Sequence, residues 1–286
     1  MPEHDHSEIF NRGLQFDLST LMRRRHLLGL FAGVGAATLV GCTSDGEPTP
    51  GTSTNTAAAD ATLGSSSPSA ASTAAGNTTR EIAEETAGPF TGDGSNGPNV
   101  LTRTGIVRSD IRSSFGASST VAGGVPLTIN LTVLDLAAGS VPLAGGAVYL
   151  WQCDREGRYS MYSAGVTNEN YLRGVQEIDS TGLARFTSIF PACYPGRWPH
   201  LHFEVYRSLA SATSAGNKIA TSQLAFPRDA CDAVYATDGY NASARAVSSL
   251  SPETDNVFRD GYADQVGTVT GSIGSGLSVA LSVPVR

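Results

Sequence analysis

Nine consecutive positions, Tyr194 to His202, hold a tyrosine, an arginine and two histidines in alternation, set among prolines and a glycine in the stretch PACYPGRWPHLHFEVY. On a β-strand, residues i and i+2 face the same way and lie about 6.6 Å apart along the chain. His200 and His202 can therefore converge on one metal ion, whose bonds to imidazole nitrogen are about 2 Å long. Leu201, Phe203 and Val205 then point to the opposite, apolar face, and Glu204 shares the histidine face as a candidate acceptor behind the ligands. Tyr194 lies in a Pro/Gly turn rigid enough to fix its side chain. A phenol with an ordinary pKa near 10 becomes an anionic ligand only beside a cation, and ferric iron suits it, as tyrosine ligation of haem iron illustrates. An HxH pair alone is equally a strand with two polar residues facing outward.

Stepping outward from this stretch, short segments with period-two alternation recur. LTINLTVL from Leu127 sets Leu127, Ile129, Leu131 and Val133 on one face. AVYLWQ at 147, LARFTSI at 183, HLHFEVY at 200, IATSQLAF at 219, VGTVTGSI at 266 and LSVALSV at 277 follow, separated by Gly, Pro, Asn, Asp and Ser clusters. No long segment carries helical periodicity. The pattern predicts an all-β fold, an antiparallel β-sandwich with loops at 153–182 and 227–262 on which a site can be built.

The first eighty residues differ from the rest. Arg23, Arg24 and Arg25 precede the apolar run Leu27–Gly41, which ends at Cys42. A basic front and an apolar middle read as an export signal over residues 1–42, and the run is shorter than the roughly twenty residues that span a bilayer. Arg24-Arg25-His26-Leu27-Leu28 resembles the twin-arginine pattern, and Leu39-Val40-Gly41-Cys42 a lipobox with Cys42 as the lipid-bearing residue. Met22 stands as a natural start just before the arginines. Residues 43–80 are mostly Ser, Thr, Ala, Gly and Pro and read as a flexible tether, so residues 81–286 form the folded domain. The expected location is outside the cytoplasm, as a cell-surface lipoprotein or a secreted protein, with membrane contact only through that lipid.

The net charge of the 286-residue chain is −7, with no basic patch suggesting nucleic acid. Of five histidines only His200 and His202 lie in the domain, and of four cysteines Cys153, Cys193 and Cys231. Export permits one disulfide, expected between Cys193 and Cys231.

Four blocks in order carry a resemblance: ETAGPF at 85, PLAGGAVYLWQCDREGRYSMYS at 142, TSIFPACYPGRWPHLHFEVY at 187 and ATSQLAFP at 220. Together they resemble the intradiol ring-cleavage dioxygenases, the family of catechol and protocatechuate dioxygenases, and within it an exported branch. The resemblance implies a non-haem Fe(III) cofactor held by Tyr159, Tyr194, His200 and His202, with a catechol-type aromatic diol and O2 as partners. Tyr159 occupies the family's G-x-Y position. Tyr162 is the alternative first tyrosine and, with Gln223, a candidate for the substrate pocket. Arg197 matches the arginine that stabilises negative charge on the substrate ring. The sequence after Tyr159, SMYSAGVTNENYLRGVQ, departs from the catechol and protocatechuate enzymes, so their substrate rules do not transfer. Two competing readings remain, a non-catalytic metal-binding sandwich and a carbohydrate-binding sandwich built on Trp151 and Trp198, the two tryptophans of the chain.

Overall fold

The computed structural model describes residues 80–286. The export signal, Cys42 and the tether up to residue 79 lie outside these described residues. Two sheets face each other. The first is built on β1 (Pro126–Asp135), which pairs with β2 (Val141–Pro142), β5 (Leu183–Ile189) and β9 (Gly276–Val285), and β9 in turn with β8 (Thr268–Ser272). The second runs in the order β4 (Arg173–Glu177), β3 (Ala147–Trp151), β6 (His200–Tyr206), β7 (Lys218–Ala225). The β-sandwich expected from the sequence is present. Every strand pair is antiparallel except β1 with β9, which run parallel with Ile129 opposite Val279.

The core between the sheets follows from alternation. In β1 the residues Leu127, Ile129, Leu131 and Val133 are buried and their neighbours only partly so. They meet Phe186 of β5 and Val279 of β9 from the same sheet and Val148, Leu150, Phe203 and Val205 from the other.

The second sheet is covered on its outer face as well, so every residue of β3 and β6 is buried. Val100, Leu101 and Ile106 from the segment before β1 pack with Tyr149, Trp151 and Tyr159 in a second apolar cluster on that face. The space between the covering segment and the sheet is where His200 and His202 point.

Two expected loops contain regular structure. Residues 227–262 hold two helices, α1 (Arg228–Tyr235) and α2 (Asn241–Val247), and two short 3-10 turns. At eight and seven residues these helices are too short to set up a periodicity visible in a window of eleven or more residues. α1 buries Ala230, Cys231, Val234 and Tyr235 on one face. Residues 153–182 include β4, whose sequence RGVQE lacks alternation because Arg173 is fully buried. Its guanidinium donates to the carbonyl oxygens of Phe90, Thr91 and Ser160 and to the hydroxyls of Tyr149 and Ser160.

The expected Cys193–Cys231 disulfide is not formed; Cys153, Cys193 and Cys231 are all free and buried. Burial pushes the Cys193 thiol up to about 12 and holds Cys231 well above its ordinary value. Cys193 Sγ instead donates to the Arg197 carbonyl at 3.5 Å.

Phe186 is fully buried between the sheets. Phe186→Ala is expected to lower the unfolding free energy by about 3–5 kcal/mol, read from the midpoint shift in urea denaturation.

Candidate metal centre

The turn that carries Tyr194 and Arg197 is encoded locally. Pro195 and Gly196 occupy its two central positions, Gly196 has φ +86°, and the Arg197 N–H donates to the Tyr194 carbonyl at 3.3 Å. Proline followed by a glycine in the left-handed region is the type II pattern, which brings the first and fourth residues close together. The chain then enters β6, and the strand period turns His200 and His202 to the outer face. Trp151, His202 and Gln223 lie side by side on β3, β6 and β7, and the Trp151 ring stacks on His202 at 4.9 Å, within 5° of parallel.

Tyr159 arrives from the loop after β3. Buried Asp154 shapes that loop by accepting from the backbone N–H groups of Glu156 and Arg158, the Arg158 side chain and the Tyr171 hydroxyl. Phe90, from the ETAGPF segment, stacks on the Tyr159 ring at 4.9 Å. Two residues earlier, Gly88 has φ +71°, and a Cβ there would lie 3.5 Å from the His202 ring. That distance is an ordinary contact, so it is the left-handed backbone at this position that favours glycine.

Four donor atoms close into a ring. Tyr159 Oη lies 3.4 Å from Tyr194 Oη and 3.2 Å from His202 Nε2. Tyr194 Oη lies 3.1 Å from His200 Nε2, and the two Nε2 atoms are 3.2 Å apart. Donors about 2.0–2.2 Å from a common metal and roughly at right angles are themselves about 3 Å apart, so this spacing fits an ion at the ring's centre. Among the described residues no group of three or more histidines, cysteines and carboxylates could hold a metal. A metal here therefore depends on the two phenol oxygens, which favours a hard, highly charged ion.

Burial governs the protonation of Tyr159, His200 and His202. It holds His200 well below the ordinary imidazole value, helped by Arg197, and it lowers His202 likewise, helped by His200 and Arg197. Both imidazoles are thus neutral. His200 Nδ1 donates to the Trp198 carbonyl, which assigns the proton to Nδ1 and leaves the Nε2 lone pair facing the ring. Among the described residues His202 Nδ1 has no hydrogen-bond partner. Glu204, expected behind the histidines, instead binds Lys218 Nζ at 2.6 Å and the Tyr206 hydroxyl at 2.7 Å. Tyr159 is held well above the ordinary phenol value, first by burial and then by Tyr194, so its ionisation requires the charge of a bound cation.

The structure brings Tyr159, Tyr194, His200, His202, Arg197 and Gln223 together and leaves Tyr162 outside the ring. The Tyr162 hydroxyl accepts from the Gly92 N–H at 2.8 Å and donates to Asn96 at 3.1 Å. Arg197 Nη2 donates to Gln223 Oε1 at 2.6 Å, and Gln223 Nε2 donates to the Thr86 carbonyl at 2.8 Å. Gln223 thereby grips the arginine and the ETAGPF segment. Asp255, which the sequence did not single out, accepts from Arg197 Nε at 3.0 Å and is fully buried. It is the fifth of the eight residues of SPETDNVF, with no motif spacing to flag it. Trp151 and Trp198 are both buried, so neither offers an exposed platform for sugar.

Glu85 is 5 % exposed, and burial, followed by the charge of Asp260, pushes its carboxyl up to about 7, against the opposing pull of Gln265 and Arg197. The folded protein holds this proton more tightly than the unfolded chain does. Its contribution to stability is therefore complete below about pH 4.5 and is lost as pH rises through about 7. In urea titrations Glu85→Gln is expected to flatten the fall in stability over that window, a fall on the order of a few kcal/mol.

Residues 96–259 match a family model described as Dioxygenase. The structure is similar to an intradiol ring-cleavage dioxygenase from Tetranychus urticae, with 24% identity and a TM-score of 0.53 over 63% of this chain and 87% of that one. It is also similar to 3-chlorocatechol 1,2-dioxygenase from Rhodococcus opacus 1CP, with 16% identity and a TM-score of 0.47 over 73% and 74% of the two chains. No curated protein matches it in sequence. With the matched segment spanning more than half of the chain, this protein belongs to the intradiol ring-cleavage dioxygenase family.

Proposed function

We propose that this protein is a non-haem Fe(III)-dependent dioxygenase that opens the ring of catechol-type aromatic diols with O2, with Tyr159, Tyr194, His200 and His202 as the iron ligands. The observation that carries this reading is the closed ring of two phenol oxygens and two imidazole nitrogens, 3.1–3.4 Å apart. When bound, Fe(III) supplies the positive charge that keeps the phenols ionised and a template on which diol and O2 meet.

The remaining work falls to the chain's own side chains. His200 and His202, kept neutral by burial, offer Nε2 without a proton to displace. Tyr194 has some solvent access whereas Tyr159 is buried. Tyr194 Oη is thus the donor that an entering diol can reach, and it takes up a proton from the diol hydroxyl as it gives way. Arg197, 4 % exposed and directed by Gln223 and Asp255, stabilises negative charge spread over the diol ring in a water-poor surrounding. Both atoms of O2 enter the ring-opened dicarboxylate product.

We further propose that the chain is exported through the signal at residues 1–42 and carries a lipid on Cys42, supported by the arginine run and the Leu39–Cys42 tetrapeptide. Cys42→Ser is expected to abolish incorporation of radiolabelled fatty acid and to release the protein from the membrane fraction.

The iron-loaded full chain is expected to show a broad visible phenolate-to-iron band that shifts when catechol is added, together with catechol-dependent O2 uptake. A colourless protein that takes up zinc or no metal refutes the reading. Tyr194→Phe and His200→Ala are each expected to lower iron content or kcat at least tenfold, and full iron and activity in either variant overturns the ligand assignment. Arg197→Ala is expected to retain iron while kcat falls about 10²–10³-fold.

A further inference from the structure

We propose that Asp255 is the positioning residue of this centre, one carboxylate that sets the direction of the Arg197 guanidinium and, through Trp198, the ring of His200. The inference rests on the functional reading above and extends it to a residue inside the matched segment 96–259 but outside the four blocks that carry the resemblance.

Asp255 is fully buried, and each of its oxygens joins the metal-centre turn to another part of the protein or to its own loop. Oδ2 accepts from Arg197 Nε at 3.0 Å and from the Trp198 N–H at 2.6 Å. Oδ1 accepts from Arg197 Nε at 3.3 Å, the Val257 N–H at 2.7 Å and the Phe258 N–H at 3.2 Å. A long arginine side chain gives up much rotamer freedom when it is held in one direction. Here Asp255 takes Nε and Gln223 takes Nη2, which fixes the plane of the guanidinium.

Trp198 transmits the second effect. Its N–H is held by Asp255, its indole Nε1 donates to the Phe226 carbonyl at 2.8 Å, and its own carbonyl accepts the His200 Nδ1 proton. The carbonyl that selects the His200 tautomer is thus fixed from the Asp255 side. The same carboxylate folds the loop that carries Phe258, whose ring centroid lies 6.4 Å from that of His200 and 5.9 Å from the Arg197 guanidinium carbon.

A buried ion pair is weak support for stability, because its desolvation offsets much of its attraction. Pure stabilisation is therefore a poor account of Asp255, and orientation of charge at the centre is the better one. Asp255→Asn keeps the shape, removes the charge and turns an NH2 group toward donors.

The test uses the full chain loaded with Fe(III), catechol as probe, and D255N beside D255E. In D255N, kcat per bound iron is expected to fall about 10–100-fold, with KM within about threefold and the visible band retained; D255E is expected to recover part of that loss. In the metal-free protein labelled with 15N-histidine, the wild type is expected to show His200 as the single Nδ1–H tautomer and D255N a mixture. If D255N does not fold, D255E is read in the same two ways. Unchanged kcat per iron with an unchanged His200 tautomer overturns the proposal, even where Tm or iron content has fallen. If the iron-loaded wild type takes up no O2 with catechol, the functional reading fails, and the tautomer measurement alone then decides whether Asp255 positions His200.

Discussion

The centre depends on one constraint: β6 is buried on both faces while two of its residues carry imidazoles. The strand period assigns Leu201, Phe203 and Val205 to the core between the sheets and His200 and His202 to the far side. Left open to solvent, that far side would be an ordinary polar surface. The covering segment through Gly88 and Phe90 and the loop holding Tyr159 make it a covered chamber instead, with solvent access on the Tyr194 side. In that chamber burial keeps the two imidazoles neutral and makes the Tyr159 phenol resist ionisation. A cation entering the ring reverses the balance for the phenols without competing with protons for the histidines.

The charges that are buried nearby are each answered by a designated partner. Arg197 lies between Asp255 and Gln223, Arg173 spends its donors on backbone carbonyls and hydroxyls, and Lys218 meets Glu204. These networks cost desolvation and gain direction. They tie the covering segment to the sheet by polar contacts whose geometry is specific, where apolar packing alone would tolerate sliding. The covering segment from Glu85 to Thr91 is held in this way at Phe90 and Thr91 by Arg173 and at Thr86 by Gln223.

Much of this was legible in the sequence, for identifiable reasons. Strong alternation made β1, β5 and β6 visible, and the Tyr-Pro-Gly-Arg turn and the HLH strand are short-range patterns whose geometry follows from their own residues. The G-x-Y position put Tyr159 ahead of Tyr162 in the sequence, and the loop supplies the physical reason, because a three-residue offset sends the Tyr162 hydroxyl to Gly92 and Asn96 instead of the ring. Asp255 was invisible because its meaning comes from a contact across 58 positions of chain. The helices after β7 were too short for periodicity, and β4 was hidden by an arginine that reads as surface and lies fully buried. The cysteine pairing failed for a related reason: counting thiols says nothing about which of them the fold brings into bonding geometry.

The parallel pairing of β1 with β9 has a kinetic side. β1 is the first strand of the sandwich and β9 the last, joined residue by residue from Leu127 with Leu277 to Asp135 with Val285. Until residues 276–285 have been synthesised, one edge of β1 has no partner and its backbone groups stay in water or find the wrong neighbour. Closing a loop of this length carries a large entropy cost before the new contacts compensate, the circumstance in which folding is slow. The first sheet of this protein is therefore completed only after translation of the strand that closes it, and a chain released or cut before that point presents an open β-edge.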